Sequence, residues 1–95
     1  MLLLTVKFRA KTGQSDRLVQ LLKEMAAAGR KEAGVLVYDP YQSVEDADIV
    51  FMYEGYRDQS ALDVHRANPA LEPFREGLMA MLAHAPEVHT WTPSA

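Results

Sequence analysis

The sequence of 95 residues contains no cysteine. This absence excludes disulfide frameworks, thiolate nucleophiles and cysteine-based metal sites. An excess of basic residues is missing too, since 10 lysines and arginines stand against 13 aspartates and glutamates, for a net charge of -3. Nucleic-acid binding requires a basic patch or stripe, so a nucleic-acid partner is not expected.

Long apolar runs are also absent. The opening segment, MLLLTVKFRA, has three consecutive leucines before Thr5 and Lys7 interrupt it. That run is too short for the apolar part of a signal peptide or for a membrane span. We therefore predict a cytoplasmic protein with no membrane partner. A composition of 48 % apolar and 24 % charged residues is typical of one folded domain, here residues 1–95, and not of a disordered chain.

Hydrophobic periodicity predicts four strands and two helical regions. The predicted strands cover residues 2–10, Val35 to Tyr38 with a ragged continuation toward Val44, Ile49 to Tyr56, and Val88 to Thr92. The first helix is expected to start at an N-cap on Ser15 and to stop at Gly29 or Gly34. The second is expected to start at an N-cap on Asp58, to be interrupted at Asn68-Pro69 and to end at Pro86.

The resulting order is β-α-β-β-α-β. With right-handed crossovers it predicts a ferredoxin-like α+β fold, in which a four-stranded mixed or antiparallel sheet carries both helices on one face. Pro40 cannot donate a ladder hydrogen bond, so the second strand is expected at an edge or to be bulged there. The third strand is apolar on both faces, which favours a central position.

Apolar residues on both faces of the sheet predict a homodimer. Leu3 lies opposite Leu2 and Leu4, and Trp91 lies opposite Val88 and Thr90, although the pattern leaves open which face carries His89 and Trp91. Two helices cover only one face, and an apolar patch on the order of several hundred Å² on the other would be a liability in a monomer. Packing two sheets face to face removes it.

His65 is the first candidate for chemistry. It follows Ala61 and Leu62 at helical spacing, so its side chain is expected to face the sheet. An imidazole in such a position is suited to act as a general base or to donate a hydrogen bond to a developing oxyanion. The alternative is a structural histidine bonded to a backbone carbonyl.

Glu54 is the second candidate. In the third strand it shares a side with Met52 and Tyr56. A carboxylate there could orient a histidine or bind substrate. The alternative is a structural ion pair with Arg57 or Arg66.

Aromatic residues supply the predicted walls of a substrate site. Tyr38, Tyr53 and Tyr56 could donate hydrogen bonds to a ligand, and Phe51, Phe74 and Trp91 could line an apolar pocket. The alternative is that these side chains are ordinary core residues.

Metal and cofactor motifs are missing. His84 and His89 fit no metal-ligand spacing with a third residue, and no glycine-rich loop for phosphate, nucleotide or flavin is present. We therefore predict no cofactor and no metal.

The stretch from residue 48 to 74 resembles a known family. A strand ending in Tyr53-Glu54-Gly55-Tyr56 is followed by Arg57-Asp58, Ser60-Ala61-Leu62, His65, Asn68-Pro69 and Phe74. This pattern resembles the antibiotic biosynthesis monooxygenase domain family, whose members include small quinol monooxygenases and an isomerase. The resemblance implies a dimeric α+β barrel of ferredoxin-like subunits.

For members that are enzymes, the resemblance implies oxidation of a quinol or phenolic molecule by O2 without metal, flavin or haem. A deprotonated, electron-rich aromatic can itself reduce O2, so the protein need only bind it, remove a proton and stabilise the anion. His65 would then be the base or anion donor, Glu54 its electrostatic partner, and Tyr53, Tyr56 and Trp91 part of the wall.

Relatives that degrade haem have an asparagine in the first strand, where this sequence offers only Lys7 and Arg9. They also have a tryptophan about where Tyr56 stands and a histidine near the position of Arg75. Haem degradation is therefore not expected.

Two other functions remain open at this point. One is an isomerase or other proton-transfer enzyme acting on a small oxygenated metabolite through His65 and Glu54, and the other is a non-catalytic dimer that binds a small ligand. A closed pocket of roughly 300 Å³ or more with His65 facing it would favour catalysis, whereas a filled core around His65 would favour the non-catalytic dimer.

Overall fold

The computed structural model describes residues 1–94, which form four strands, three helices and one short 3-10 turn. The strands are β1 (Leu2–Arg9), β2 (Val35–Gln42), β3 (Ile49–Tyr56) and β4 (Glu87–Trp91), and the helices are α1 (Ser15–Gly29), α2 (Gln59–Ala67) and α3 (Glu72–Ala80). The 3-10 turn, Pro69–Leu71, joins α2 to α3. No helix within residues 1–94 has the length and apolar character needed to cross a membrane.

The sheet has the strand order β2-β3-β1-β4, and every neighbouring pair is antiparallel. This is the ferredoxin-like arrangement, with β3 central and β2 at an edge as predicted. The irregularity in β2 lies between Val35 and Val37 and not at Pro40, which pairs with Met52 inside the regular ladder. An edge strand tolerates the missing N–H of a proline.

Three of the five predicted helix signals are confirmed, and the first of these is the end of α1 at Gly29. Asp58 caps α2, because its side chain accepts a 2.9 Å hydrogen bond from the N–H of Ala61. Asn68 ends α2 and caps the 3-10 turn through the N–H of Ala70, at 3.0 Å. The predicted N-cap at Ser15 is wrong, since Ser15 is already helical and Gln14 precedes it without a side-chain cap.

The last helix is shorter than predicted. It ends at Ala80 and not at Pro86, because the chain beyond it joins the end of β1. The N–H of Ala83 donates to the carbonyl of Arg9 at 2.8 Å, and Leu82 is buried in a bridge to Ala10. Pairing with a strand outweighs helical periodicity here.

The core lies between the three helices and one face of the sheet. Its buried members from the strands are Leu4, Phe8, Tyr38, Val50, Met52, Glu54 and Tyr56, and those from the helical side include Leu18, Leu22, Leu62, Leu71 and Leu78. The helices do not fully cover β4. Val88 pairs with Val6 and so lies on the helix side of the sheet, yet 52 % of its surface is exposed. This incomplete cover leaves room for a cavity.

In the part of the chain that the structure describes, the opposite face of the sheet carries no helix. Alternation along the strands places there Leu3, Thr5, Val37, Tyr41, Ile49, Phe51, Tyr53, His89 and Trp91. His89 and Trp91 pair with Thr5 and Leu3, and the indole of Trp91 donates a 2.9 Å hydrogen bond to the hydroxyl of Thr5. We call this surface the open face.

Gly29 marks a close approach of α1 to β2. A methyl group at this position would lie 2.5 Å from a ring carbon of buried Tyr38, so Gly29→Ala should lower the free energy of unfolding by about 1–3 kcal/mol. Gly77→Ala is the matched control: it meets only Leu21 at 3.6 Å, inside a helix, and should raise stability by about 0.5–1 kcal/mol. Urea denaturation measures both, and a Gly29→Ala variant as stable as the wild type would contradict this packing.

Candidate active site

A cavity of about 430 Å³ lies between the sheet and helices α2 and α3. Its apolar lining consists of Leu4, Val6, Phe8, Met25, Met52, Leu62, Leu78, Pro86 and Val88, and its polar lining consists of Tyr38, Glu54, His65, Arg66, Glu72 and Arg75. The volume falls in the range of about 300–1,000 Å³ of small-molecule sites. The cavity opens to solvent, because Arg66, Glu72 and Val88 are exposed, and we call these three residues its mouth.

His65 lies on the buried side of α2 and is 6 % exposed. Its Nδ1 is 2.9 Å from a carboxylate oxygen of Glu32, a residue of the connection between α1 and β2. With Nδ1–H donating to Glu32, the lone pair of Nε2 is left for a molecule in the cavity. Burial lowers the pKa of His65, and the Glu32 hydrogen bond opposes this only in part. The imidazole is therefore a neutral base at pH 7.

Glu54 is the second buried ionisable group of the cavity, at 4 % exposure. Burial raises its pKa to about 7, although the hydrogen bond from Tyr56 and the positive charges of Arg66 and Arg75 act to lower it. The hydroxyl of Tyr56 donates to one carboxyl oxygen of Glu54. Near neutral pH a substantial fraction of Glu54 is protonated and can donate a proton or hydrogen bond. The cavity thus holds a base and an acid with differently tuned pKa values.

The carboxylate that contacts His65 is Glu32, whereas the sequence predicted Glu54. Glu32 lies 33 positions before His65 in a polar loop, and no local pattern connects the two. Its other carboxyl oxygen is buried without a hydrogen-bond partner in residues 1–94. The loop can approach α2 because Gly34, lacking a Cβ, fits against Ala61. A side chain at Gly34 would keep Glu32 away from the helix.

Two of the predicted aromatic residues flank His65. The rings of Tyr38 and Tyr56 lie 5.0 and 5.2 Å from the imidazole, centroid to centroid. Burial raises the pKa of both phenols above the ordinary value of 10, so both remain protonated donors. Tyr38 lines the cavity directly, and Tyr56 is linked to it through Glu54.

The remaining predicted wall residues are not assembled with His65. Phe51, Tyr53 and Trp91 lie on the open face, on the other side of the sheet from the cavity. Phe74 packs against the core beside the cavity without lining it. The predicted pocket shared by Phe51, Phe74 and Trp91 is therefore wrong, because these side chains lie on opposite sides of the sheet. Phe51 instead belongs to a hollow of about 470 Å³ on the open face, together with Tyr41 and His89.

Arg75 fixes the geometry between α3 and α2. Its guanidinium donates a 2.8 Å hydrogen bond to the carbonyl of His65 and lies 3.5 Å from Glu72. The predicted alternative partners of Glu54 are not bound to it, since Arg57 pairs with Asp58. Arg66 lines the same cavity as Glu54 without forming an ion pair to any residue in 1–94.

No metal centre is formed by the part of the chain that the structure describes. Among residues 1–94 no three histidine, aspartate or glutamate side chains converge in a way that could hold an ion.

Comparisons with known proteins agree with this fold. Residues 1–77 match the family model described as antibiotic biosynthesis monooxygenase. Rv0793 of Mycobacterium tuberculosis, which bears the name of a candidate monooxygenase, is 30 % identical over 87 residues, covering 92 % of this chain and 85 % of its own. Its solved structure superimposes with a TM-score of 0.90 over 99 % of this chain and 95 % of that one, at 26 % identity.

Two further solved structures are similar. PA3566 from Pseudomonas aeruginosa gives a TM-score of 0.90 at 30 % identity, covering 99 % of this chain and 94 % of that one. A protein of Nitrosomonas europaea, whose name assigns it as a candidate antibiotic biosynthesis monooxygenase, gives 0.94 at 17 % identity over the whole of both chains, a likeness of fold alone. With the family model matched over most of its length, this chain belongs to the antibiotic biosynthesis monooxygenase family.

Proposed function

We propose that this protein is a monooxygenase that oxidises a quinol or related phenolic molecule with O2, using no metal, flavin or haem. The observation that carries the proposal is the cavity in which a neutral imidazole, His65, and a carboxyl with a pKa of about 7, Glu54, both meet an apolar wall. The family and the name of the Mycobacterium tuberculosis relative support oxygenation as the reaction.

The proposed reaction starts with proton removal. The Nε2 of His65 takes the phenolic proton, and the electron-rich anion transfers electrons to O2 so that a carbon–oxygen bond forms on the ring. Glu54 protonates the resulting peroxide, and loss of water breaks the O–O bond and leaves a carbonyl. A 1,4-naphthohydroquinone and one O2 thus become a 2-hydroxy-1,4-naphthoquinone and one water, so the substrate itself supplies all the electrons.

Oxygen uptake with isotope labelling tests this reaction. With ¹⁸O2 and a panel of benzo- and naphthohydroquinones, we expect one O2 consumed per substrate and one ¹⁸O atom in each product, faster than in protein-free buffer. Hydroquinones autoxidise, so the buffer blank is essential. Rates equal to the blank across the panel would refute the proposal.

A proton-transfer enzyme is the second candidate. The pairing of a neutral base with an acid of pKa about 7 also suits an isomerisation that needs no O2. Under anaerobic conditions in D2O, such an enzyme would exchange substrate protons with solvent. Exchange on a small oxygenated metabolite without any O2 uptake on the quinol panel would favour this candidate.

We propose in addition that two chains associate through the open face. Half of the surface of both Tyr41 and Trp91 is exposed there, at 51 % each, and Phe51 pairs with Tyr41 on the neighbouring strand. Covering these side chains supplies a driving force for association.

Sedimentation equilibrium at micromolar concentration should therefore give twice the subunit mass of 10.6 kDa. Phe51→Lys should shift the protein toward single subunits, whereas Met79→Lys should not, since Met79 is an exposed apolar residue on α3. A wild-type protein that sediments as a single folded subunit would contradict the dimer.

A further inference from the structure

We infer that the cavity takes a molecule with an apolar body and a carboxylate, and that Arg66 and Arg75 bind this carboxylate at the mouth. The inference rests on the proposed function, because it names the class of substrate that the same cavity accepts.

The distribution of charge in the cavity carries the inference. Most of its wall is apolar, and partly exposed Arg75 lines it together with the mouth residues Arg66 and Glu72. Two arginines against one glutamate give this group a formal charge of +1, in a chain whose net charge is -3. An acidic protein with a locally cationic entrance to an apolar cavity favours an amphipathic anion over a neutral molecule.

Arg66 has the capacity to bind an added anion. It forms no ion pair with any of residues 1–94, although its side chain lines the cavity beside Glu54. A planar guanidinium matches a carboxylate through two parallel hydrogen bonds, which is the strongest pairing available to it.

Arg75 is already positioned for the same task. One of its nitrogens is held by the His65 carbonyl at 2.8 Å, while the other lies at 3.5 Å from both Asn68 and Glu72. Those two long contacts are weak, so this nitrogen can turn to a ligand without loss of a good hydrogen bond. Because Arg75 comes from α3 and Arg66 from α2, a carboxylate between them joins the two helices across the mouth.

This arrangement also orients the substrate. The carboxylate stays at the exposed end, and the reacting ring reaches the buried end, where His65 and Glu54 lie. Binding energy at a remote group thereby positions the reacting atoms.

Calorimetry with a matched pair of probes tests the inference. The probes are 3-(1,4-naphthoquinon-2-yl)propanoate and its primary amide, which differ in charge and are already oxidised, so that no turnover occurs. The wild type should bind the acid roughly 10- to 100-fold more tightly than the amide at low salt.

Arg66→Gln should remove most of this preference, because it should lower the affinity for the acid far more than the affinity for the amide. Arg17→Gln is the control and should keep the preference, because Arg17 is exposed on α1 and does not line the cavity. Equal affinity of the wild type for the two probes, an undiminished preference in Arg66→Gln, or binding of neither probe at millimolar concentration would each overturn the inference.

The proposed function and this inference fail in different ways. If the hydroquinone forms of both probes are oxidised with the same kcat/KM, the monooxygenase stands and the carboxylate site falls. If the acid binds selectively but its hydroquinone consumes no O2 beyond the blank, the carboxylate site stands and the oxygenation falls.

Discussion

Replacing His65 by glutamine is expected to lower kcat/KM for hydroquinone oxidation by about 100- to 10,000-fold, the usual contribution of a general base. Glutamine can still donate a hydrogen bond to Glu32, which contacts Nδ1 at 2.9 Å in the wild type, but it cannot take a proton from the substrate. Steady-state oxygen uptake under saturating O2 measures the effect, and circular dichroism checks that the variant is folded.

His84→Gln is the matched control for this substitution. His84 is exposed and, within residues 1–94, its side chain bonds only the neighbouring carbonyl of Ala85, so its replacement should leave kcat/KM within about twofold of the wild type, as is usual for surface substitutions. A His65→Gln variant that is folded and retains full activity would remove His65 from the mechanism.

The second large effect is a dependence of stability on pH that Glu54 causes. Its pKa is 4.5 when exposed and about 7 in the folded protein. Between these values the folded state binds a proton that the unfolded state releases, so the stability that Glu54 contributes is greatest below pH 4.5 and falls as the pH rises through 7. The loss contributed by Glu54 across this window is about 3 kcal/mol.

Glu54→Gln should therefore remove this loss. Glutamine stays neutral, so the variant should gain stability relative to the wild type as the pH rises from 5 to 8, by roughly 2–3 kcal/mol. The lowered pKa of His65 has the opposite effect, since it makes the folded protein less stable as the pH falls. Both proteins contain His65, so its contribution cancels when their free energies of unfolding are subtracted. Urea denaturation at fixed protein concentration measures the effect.

Glu76→Gln is the control, because Glu76 is an exposed glutamate on α3. The difference in the free energy of unfolding between Glu76→Gln and the wild type should not change between pH 5 and pH 8. If the difference in the free energy of unfolding between Glu54→Gln and the wild type is also independent of pH, Glu54 does not hold its proton in the folded state.

Local pattern was sufficient for the fold and for part of the site. Alternation along β3 predicts that Glu54 lies with Met52 on one side of the sheet, and the helical spacing from Ala61 and Leu62 predicts that His65 faces the sheet. All five side chains are buried in the structure. The cap at Asp58 and the break at Asn68 followed from side-chain chemistry and from Pro69. Each of these signals lies within a few residues of its effect.

Contacts between distant segments could not be predicted in this way. Glu32 meets His65 only after α1, β2 and α2 have packed together, and Leu82 leaves the helical register because the end of β1 is beside it. The separation of Phe51 and Tyr53 from the site is different, since alternation along β3 already places them opposite Glu54. That pocket could have been excluded from the sequence alone.

Imidazole NMR on the ¹⁵N-labelled protein tests the location of the site most directly. The chain has three histidines: His65 lines the cavity, His89 lines the hollow on the open face, and His84 is exposed and lines neither. On titration with 3-(1,4-naphthoquinon-2-yl)propanoate, the Nε2 resonance of His65 should shift in proportion to occupancy while those of His84 and His89 stay fixed. A shift confined to His89, with His65 unchanged at saturation, would place the ligand on the open face and contradict the account.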